Sequence, residues 1–179
     1  IIKLSFLINK LRSDRVMDIQ NISKLMKKHW DGQIPVDVRK IAKSMNIELI
    51  PMNFDESYKT NIKTRITDDG TKKTITYNTK GSKQVHNILI THAIARIALN
   101  QVKQGQVFED ADGFDLVRYK DSDDLDANIA TYQILIPSDD LKKAVNHYAT
   151  WDPEEIAGIF DTNIELAYRR MKDLGLVEA

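Results

Sequence analysis

Four histidines and no cysteines bound the chemistry open to this chain. Without thiols there is no disulfide framework, no cysteine metal site and no thiol nucleophile. His92 has the most informative surroundings, in the run Thr91-His92-Ala93-Ile94-Ala95-Arg96. Zinc hydrolysis on a helix needs two imidazoles four residues apart, because that spacing puts both on one face within reach of one ion. It also needs a carboxylate beside the first imidazole to take a proton from the zinc-bound water. Here Ala93 stands at the proton acceptor's position and Arg96 at the second imidazole's. A guanidinium stays protonated and only donates, so Arg96 is no zinc ligand. His86 lies six residues before His92, about 240° round a helix, and does not substitute. His29 and His147 could join only through tertiary folding. A lone histidine on a buried helix is more often a hydrogen-bonded core residue, and that plainer reading stands beside the metal one. A Gly-rich phosphate loop and a nucleophile elbow are both missing.

The element carrying this run reads as one helix from Lys83 to about Val102. Gly81 breaks the chain before it and Ser82 can cap it. Ile88, Leu89, Ile90, Ala93, Ile94, Ala95, Ile97, Ala98 and Leu99 make it apolar on most sides, which predicts a buried central helix. Ile47-Glu48-Leu49-Ile50, Ile62-Lys63-Thr64-Arg65-Ile66 and Thr74-Ile75-Thr76-Tyr77-Asn78 alternate as strands, with Asp69-Gly70 as a hairpin signal. An antiparallel sheet of three strands, with one face on the central helix, is expected. Residues 103–122 read as a loop. Acids crowd its second half and the next helix start, from Glu109 and Asp110 to Asp124 and Asp126; those near the helix N-terminus suit its dipole.

Helices are expected elsewhere. Residues 3–12 and 17–30 have helical apolar spacing, and Lys10, Arg12, Arg15, Lys24, Lys27 and Lys28 read as a solvated basic face. Pro35 is expected to open a helix through Val38, Ile41, Ala42 and Met45, with Asn46 as its C-cap. Helix 123–136 places Leu125, Ile129, Tyr132 and Ile136 on one face and stops at Pro137. Ser138-Asp139-Asp140 begins another helix. Asp152-Pro153-Glu154-Glu155 is a strong start signal, Asn163 can cap a last helix, and Gly175 ends it. The fold class is therefore α+β and mostly helical. The expected division is an N-terminal helical segment over 1–33, a core over 34–150, and a helix-turn-helix-like part over 151–179.

Composition narrows the partners. The chain has 179 residues, with 26 basic and 26 acidic side chains and a formal net charge of zero, so no global basic field argues for nucleic acid. The apolar start, Ile1 to Ile8, is followed by Lys10 and Arg12 and is too short to span a membrane. No small-residue cleavage site follows it as in a signal peptide, and the first residue is Ile rather than Met, as in a trimmed chain. A cytoplasmic protein without membrane contact is expected.

Together these pieces resemble the ImmA/IrrE family of zinc-metallopeptidase-like proteins, over roughly residues 34–177. The matching parts are ordered: Ile34-Pro35-Val36-Asp37, Ile47-Glu48-Leu49-Ile50, Ile75-Thr76-Tyr77-Asn78, Val85 to Arg96, and Asp124 to Pro137. The last resembles the family's acidic-x-x-Ala-Asn-x-Phe-Ala-x-x-Leu-Leu-Met-Pro helix, through Ala127-Asn128 and Leu135-Ile136-Pro137. The resemblance implies that His92 and Asp124 stand at ligand positions, and that Asn128, one turn after Asp124, could hold a ligand histidine by its free ring nitrogen. Aspartate is shorter than the family's usual glutamate. His92, Ala93, Arg96, Asp124 and Asn128 then form a degenerate site with no intact catalytic set. No cofactor is expected; zinc is the ancestral possibility, with His92 and Asp124 its only two candidate ligands, where catalytic zinc takes three. Arg96 is predicted to pair with Asp124, its charge replacing the ion's.

Active members of the family are implied to cleave helix-turn-helix repressors. By analogy, this chain would be a catalytically impaired regulator, of phage, mobile-element or toxin-antitoxin type, that binds such a repressor without cutting it. Two alternatives stay open. One is a DNA-binding regulator using the C-terminal helices, with Arg169, Arg170 and Lys172 as candidate phosphate contacts; Glu154, Glu155, Asp161, Glu165 and Asp173 balance that charge. The other is an active zinc peptidase with a rearranged site.

Overall fold

The computed structural model describes residues 20–54, 63–110 and 122–177. Their fold is α+β and mostly helical. Residues 20–29 form α1, which buries Ile22 and Leu25 and exposes Lys24, Lys27 and Lys28, as a solvated basic face requires. Met26 packs half-buried against the core, and residues 3–12 and 17–19 of the expected helices lie outside the described residues. Helix α2 is Val38–Ser44; Asp37 caps it by accepting from the Arg39 and Lys40 amides. The helix thus starts at Val38, after Pro35 rather than at it, because the Asp37 carboxylate satisfies the first free amides. Met45 is the C-cap, and Asn46 follows in the left-handed conformation at φ 57°.

The sheet has four strands, not three, and it is mixed. Strands β1 (Ile47–Met52), β2 (Thr64–Asp68), β3 (Lys73–Asn78) and β4 (Val107–Asp110) lie in the order β1-β3-β2-β4. β2 and β3 form the expected hairpin, with Ile66 opposite Ile75 and both fully buried. The Asp69 carboxylate closes its turn by accepting from the Thr71 and Lys72 amides, and Gly70 takes φ 87°. β1 pairs with β3 in parallel, Leu49 opposite Ile75, and so departs from the antiparallel expectation. β4 pairs antiparallel with β2, which makes a strand of part of the expected 103–122 loop.

Helix α3 (Lys83–Ala98) is capped by Ser82 and buried continuously from Asn87 to Ile97. It packs on β2 and β3 with one flank and on α4 (Ser122–Leu135) with another. Full burial of each isoleucine along it, Ile90 and Ile94 among them, contributes about 1.5–3 kcal/mol. Two buried hydroxyls are satisfied inside their own helices: Thr91 donates to the Asn87 carbonyl at 2.6 Å and Thr131 to Ala127 at 2.7 Å.

Three helices complete the described residues. α5 (Ser138–Tyr148) begins at Ser138 as expected; Pro137 is its N-cap, and no side chain caps it. α6 (Pro153–Ile159) is capped by Asp152, and α7 (Ile164–Asp173) by Asn163. Ile156, Phe160, Leu166 and Met171 join the same core as Ile90 and Ile134, so these helices share the interior of the rest. Asp161, in the turn between α6 and α7, receives Lys83 at 2.6 Å and Gln84 at 2.9 Å from the start of α3. No described helix is long and apolar enough to cross a membrane.

Candidate functional site

His92 and Arg96 lie four residues apart on α3, so both project to the same flank of the helix. That flank faces the end of β4 and the first turn of α4. His92 Nδ1 is 3.0 Å from Asp110 Oδ2, and Arg96 Nε is 3.7 Å from the same oxygen. Arg96 Nη2 donates to Asp124 Oδ1, and Arg96 Nη1 donates to Gln101 Oε1 at 3.0 Å. The Gln101 amide in turn donates to the Asp123 carbonyl at 2.9 Å, which ties the end of α3 to the start of α4. The guanidinium carbon lies 4.7 Å from the centre of the Phe108 ring, a cation–π contact.

His92, Arg96 and Asp110 are out of water, and Asp124 is partly exposed. Arg96 is 3% exposed, His92 1% and Asp110 6%. A guanidinium so deeply buried needs counter-charge, and two carboxylates supply it. The planar fork suits this place: it reaches Asp110, Asp124 and Gln101 at once, where a lysine ammonium would act as a point charge. The Arg96–Asp124 pair has the partners that the sequence pattern suggested.

The arrangement does not fit a catalytic zinc. His92 turns Nδ1 to Asp110, and the guanidinium lies where a second imidazole would point. Among the described residues, no three His, Asp or Glu side chains converge as a metal-ligand set. Ala93 is fully buried and offers no proton acceptor. His92, Arg96, Asp110 and Asp124 therefore hold three elements together: α3, β4 and α4.

Asp110 is the member that sequence reasoning missed, together with Phe108 and Gln101. Burial along Val107-Phe108-Glu109-Asp110 has a period of two, with Val107 and Glu109 exposed and Asp110 turned inward, but the residue types do not alternate apolar and polar, so the sequence carried no signal for it. Asn128, one turn after Asp124, is 4% exposed and lines a groove between α4 and α7.

The remaining histidines are apart from this site. His86 sits against Thr79 O at 3.0 Å and the Tyr77 ring, and His29 Nδ1 is 2.9 Å from Ser44 Oγ. Burial and the Lys28 charge pull the His29 pKa below its ordinary value, against the Ser44 contact, which raises it. His147 packs edge-on against Tyr148.

The three C-terminal cations divide. Arg170 is buried: its Nε donates to the Ile136 carbonyl at 3.0 Å, its Nη1 to Asp173 at 2.7 Å, and its guanidinium lies 5.6 Å from the Tyr132 ring centre. Burial lowers its pKa, and the Asp173 charge works against that. It is therefore a clamp between α7 and the end of α4, not a phosphate contact. Arg169 is exposed and Lys172 half-buried.

No family model matches the chain, and no curated protein matches it.

Proposed function

We propose that this chain is an ImmA/IrrE-like metallopeptidase homologue that has given up hydrolysis and acts by binding a protein, a helix-turn-helix transcriptional repressor. The observation that carries the reading is the Arg96 guanidinium, buried between Asp110 and Asp124 at the position of a zinc ligand. A fixed cation there supplies the positive charge that the surrounding carboxylates need. It supplies no Lewis acid and leaves no open coordination position for a substrate carbonyl. What the scaffold retains is shape, and the analogy from scaffold to partner is one of fold. A cytoplasmic setting belongs to the same proposal.

Direct DNA binding is the weaker reading. Arg170 is spent inside the protein, while exposed Glu165 shares α7 with Arg169 and Lys172, and Glu154 and Glu155 are exposed on the preceding helix α6. The test is co-purification of the tagged full chain with helix-turn-helix repressors of its native cell. An intact complex, with the repressor uncut with or without chelator, is expected. Chelator-sensitive cleavage would establish the peptidase alternative, and retention on duplex DNA without a repressor complex would establish the DNA-binding one.

A further inference from the structure

We infer that the groove between α4 and α7 docks an acidic, aliphatic peptide segment of the protein partner; the inference rests on the protein-binding function proposed above. The groove has a volume of about 500 Å³. Leu125 and Ile129, both half-buried, and Tyr132 give it an apolar wall from α4. Arg169 and Lys172 line the opposite side from α7. The one acid on that side, Asp173, is held by Arg170 at 2.7 Å. Arg169 and Lys172 make no side-chain hydrogen bond or ion pair among the described residues. The groove thus offers apolar surface beside two cations whose local counter-ion is already taken.

That combination selects a ligand. Aliphatic side chains remove Leu125 and Ile129 from water, and carboxylates on the same segment meet Arg169 and Lys172. A nucleic-acid backbone brings charge without aliphatic groups and would leave the apolar wall of Leu125 and Ile129 uncovered. The groove also borders the buried ion cluster, since Asn128 lines it one turn from Asp124.

The experiment measures fluorescence polarisation with the full chain and three labelled probes: a short peptide of Glu and Leu, the same peptide with Lys for every Glu, and duplex DNA. The Glu/Leu peptide is expected to bind, more weakly as salt rises. The joint change Arg169→Glu and Lys172→Glu, at two side chains that make no described hydrogen bond or ion pair, is expected to weaken it by about tenfold or more. Leu125→Asp, which puts a charge on the apolar wall, is expected to weaken it as well. Equal binding of the Lys/Leu peptide, tighter binding of duplex DNA, or indifference to the charge reversal would each overturn the inference. A charge-reversed chain that still co-purifies with the repressor as the parent does would remove the groove and leave the proposed function standing. Peptide binding by a parent chain that captures no repressor would support the groove and remove the repressor.

Discussion

The Arg96 guanidinium donates to the Asp124 carboxylate across the interface of α3 and α4, at a point where Arg96 is only 3% exposed. Its Nε also lies 3.7 Å from Asp110, so one cation serves two carboxylates on two other elements. Desolvating such charges costs much of what their attraction returns, so the intact cluster adds little net stability. Breaking it is another matter, because an uncompensated buried charge is left behind.

Arg96→Ala is therefore expected to lower the unfolding free energy by about 3–5 kcal/mol. Asp124→Ala should act in the same direction. The double variant should lose less than the sum of the two, since the second change removes a charge the first had stranded. Urea unfolding of the four proteins measures this. An Arg96→Ala protein as stable as its parent would refute the structural role of the pair.

Placing an imidazole at position 96 tests the proposed ancestry of the site. Arg96→His places His92 and a second histidine four residues apart on α3, with Asp110 and Asp124 alongside. Zinc titration by calorimetry should then show uptake that the parent lacks. A folded Arg96→His protein that takes up no zinc would count against the metallopeptidase resemblance.

How far the site was legible depends on which rule each residue obeys. Helix α3 was readable because it is apolar on nearly every side, and Ser82, Asp152 and Asn163 cap helices as their side chains suggest. Arg96 and Asp124 were readable because each fills a position in a spaced pattern. Asp110 was not. Its strand has four residues, and it inverts the usual preference by exposing Val107 at 60% and burying an aspartate at 6%. Composition alone therefore files it with the acidic loop that follows. The parallel pairing of β1 with β3 was hidden for another reason. Alternation marks strands and a turn marks its own hairpin, but neither names a partner from a distant segment.

The C-terminal cations should separate by position. Arg170→Ala strands the buried Ile136 carbonyl and the Asp173 carboxylate, at a cost of about 1–3 kcal/mol for the unsatisfied group. Arg169→Ala, on the surface, should stay within about 0.5 kcal/mol of the parent. Thermal unfolding of the two variants checks the contrast, and equal losses would contradict the clamp.

The hairpin turn carries a pH dependence of known sign. Asp68 lies below the ordinary aspartate range because Lys73 and the Gly70 amide stabilise its charge. Asp69 lies below it because the Lys72 amide and Thr71 do so. A carboxyl whose folded pKa is depressed adds stability above its unfolded value, about 3.9 for aspartate, and loses it as pH falls through the folded value. Protection of the Thr71 and Lys72 amides from hydrogen exchange, compared at matched intrinsic rates, should hold at neutral pH and fall in acid below pH 4. Asp69→Asn should remove most of that dependence.

If a guanidinium has taken the place of a catalytic metal, as proposed, the purified full chain holds no zinc, and its zinc content tests this most directly. After growth in zinc-supplemented medium, elemental analysis should find far less than stoichiometric metal in a fully folded protein, and His92→Ala should leave that value unchanged. Stoichiometric zinc that survives dialysis and disappears on His92→Ala would contradict the account.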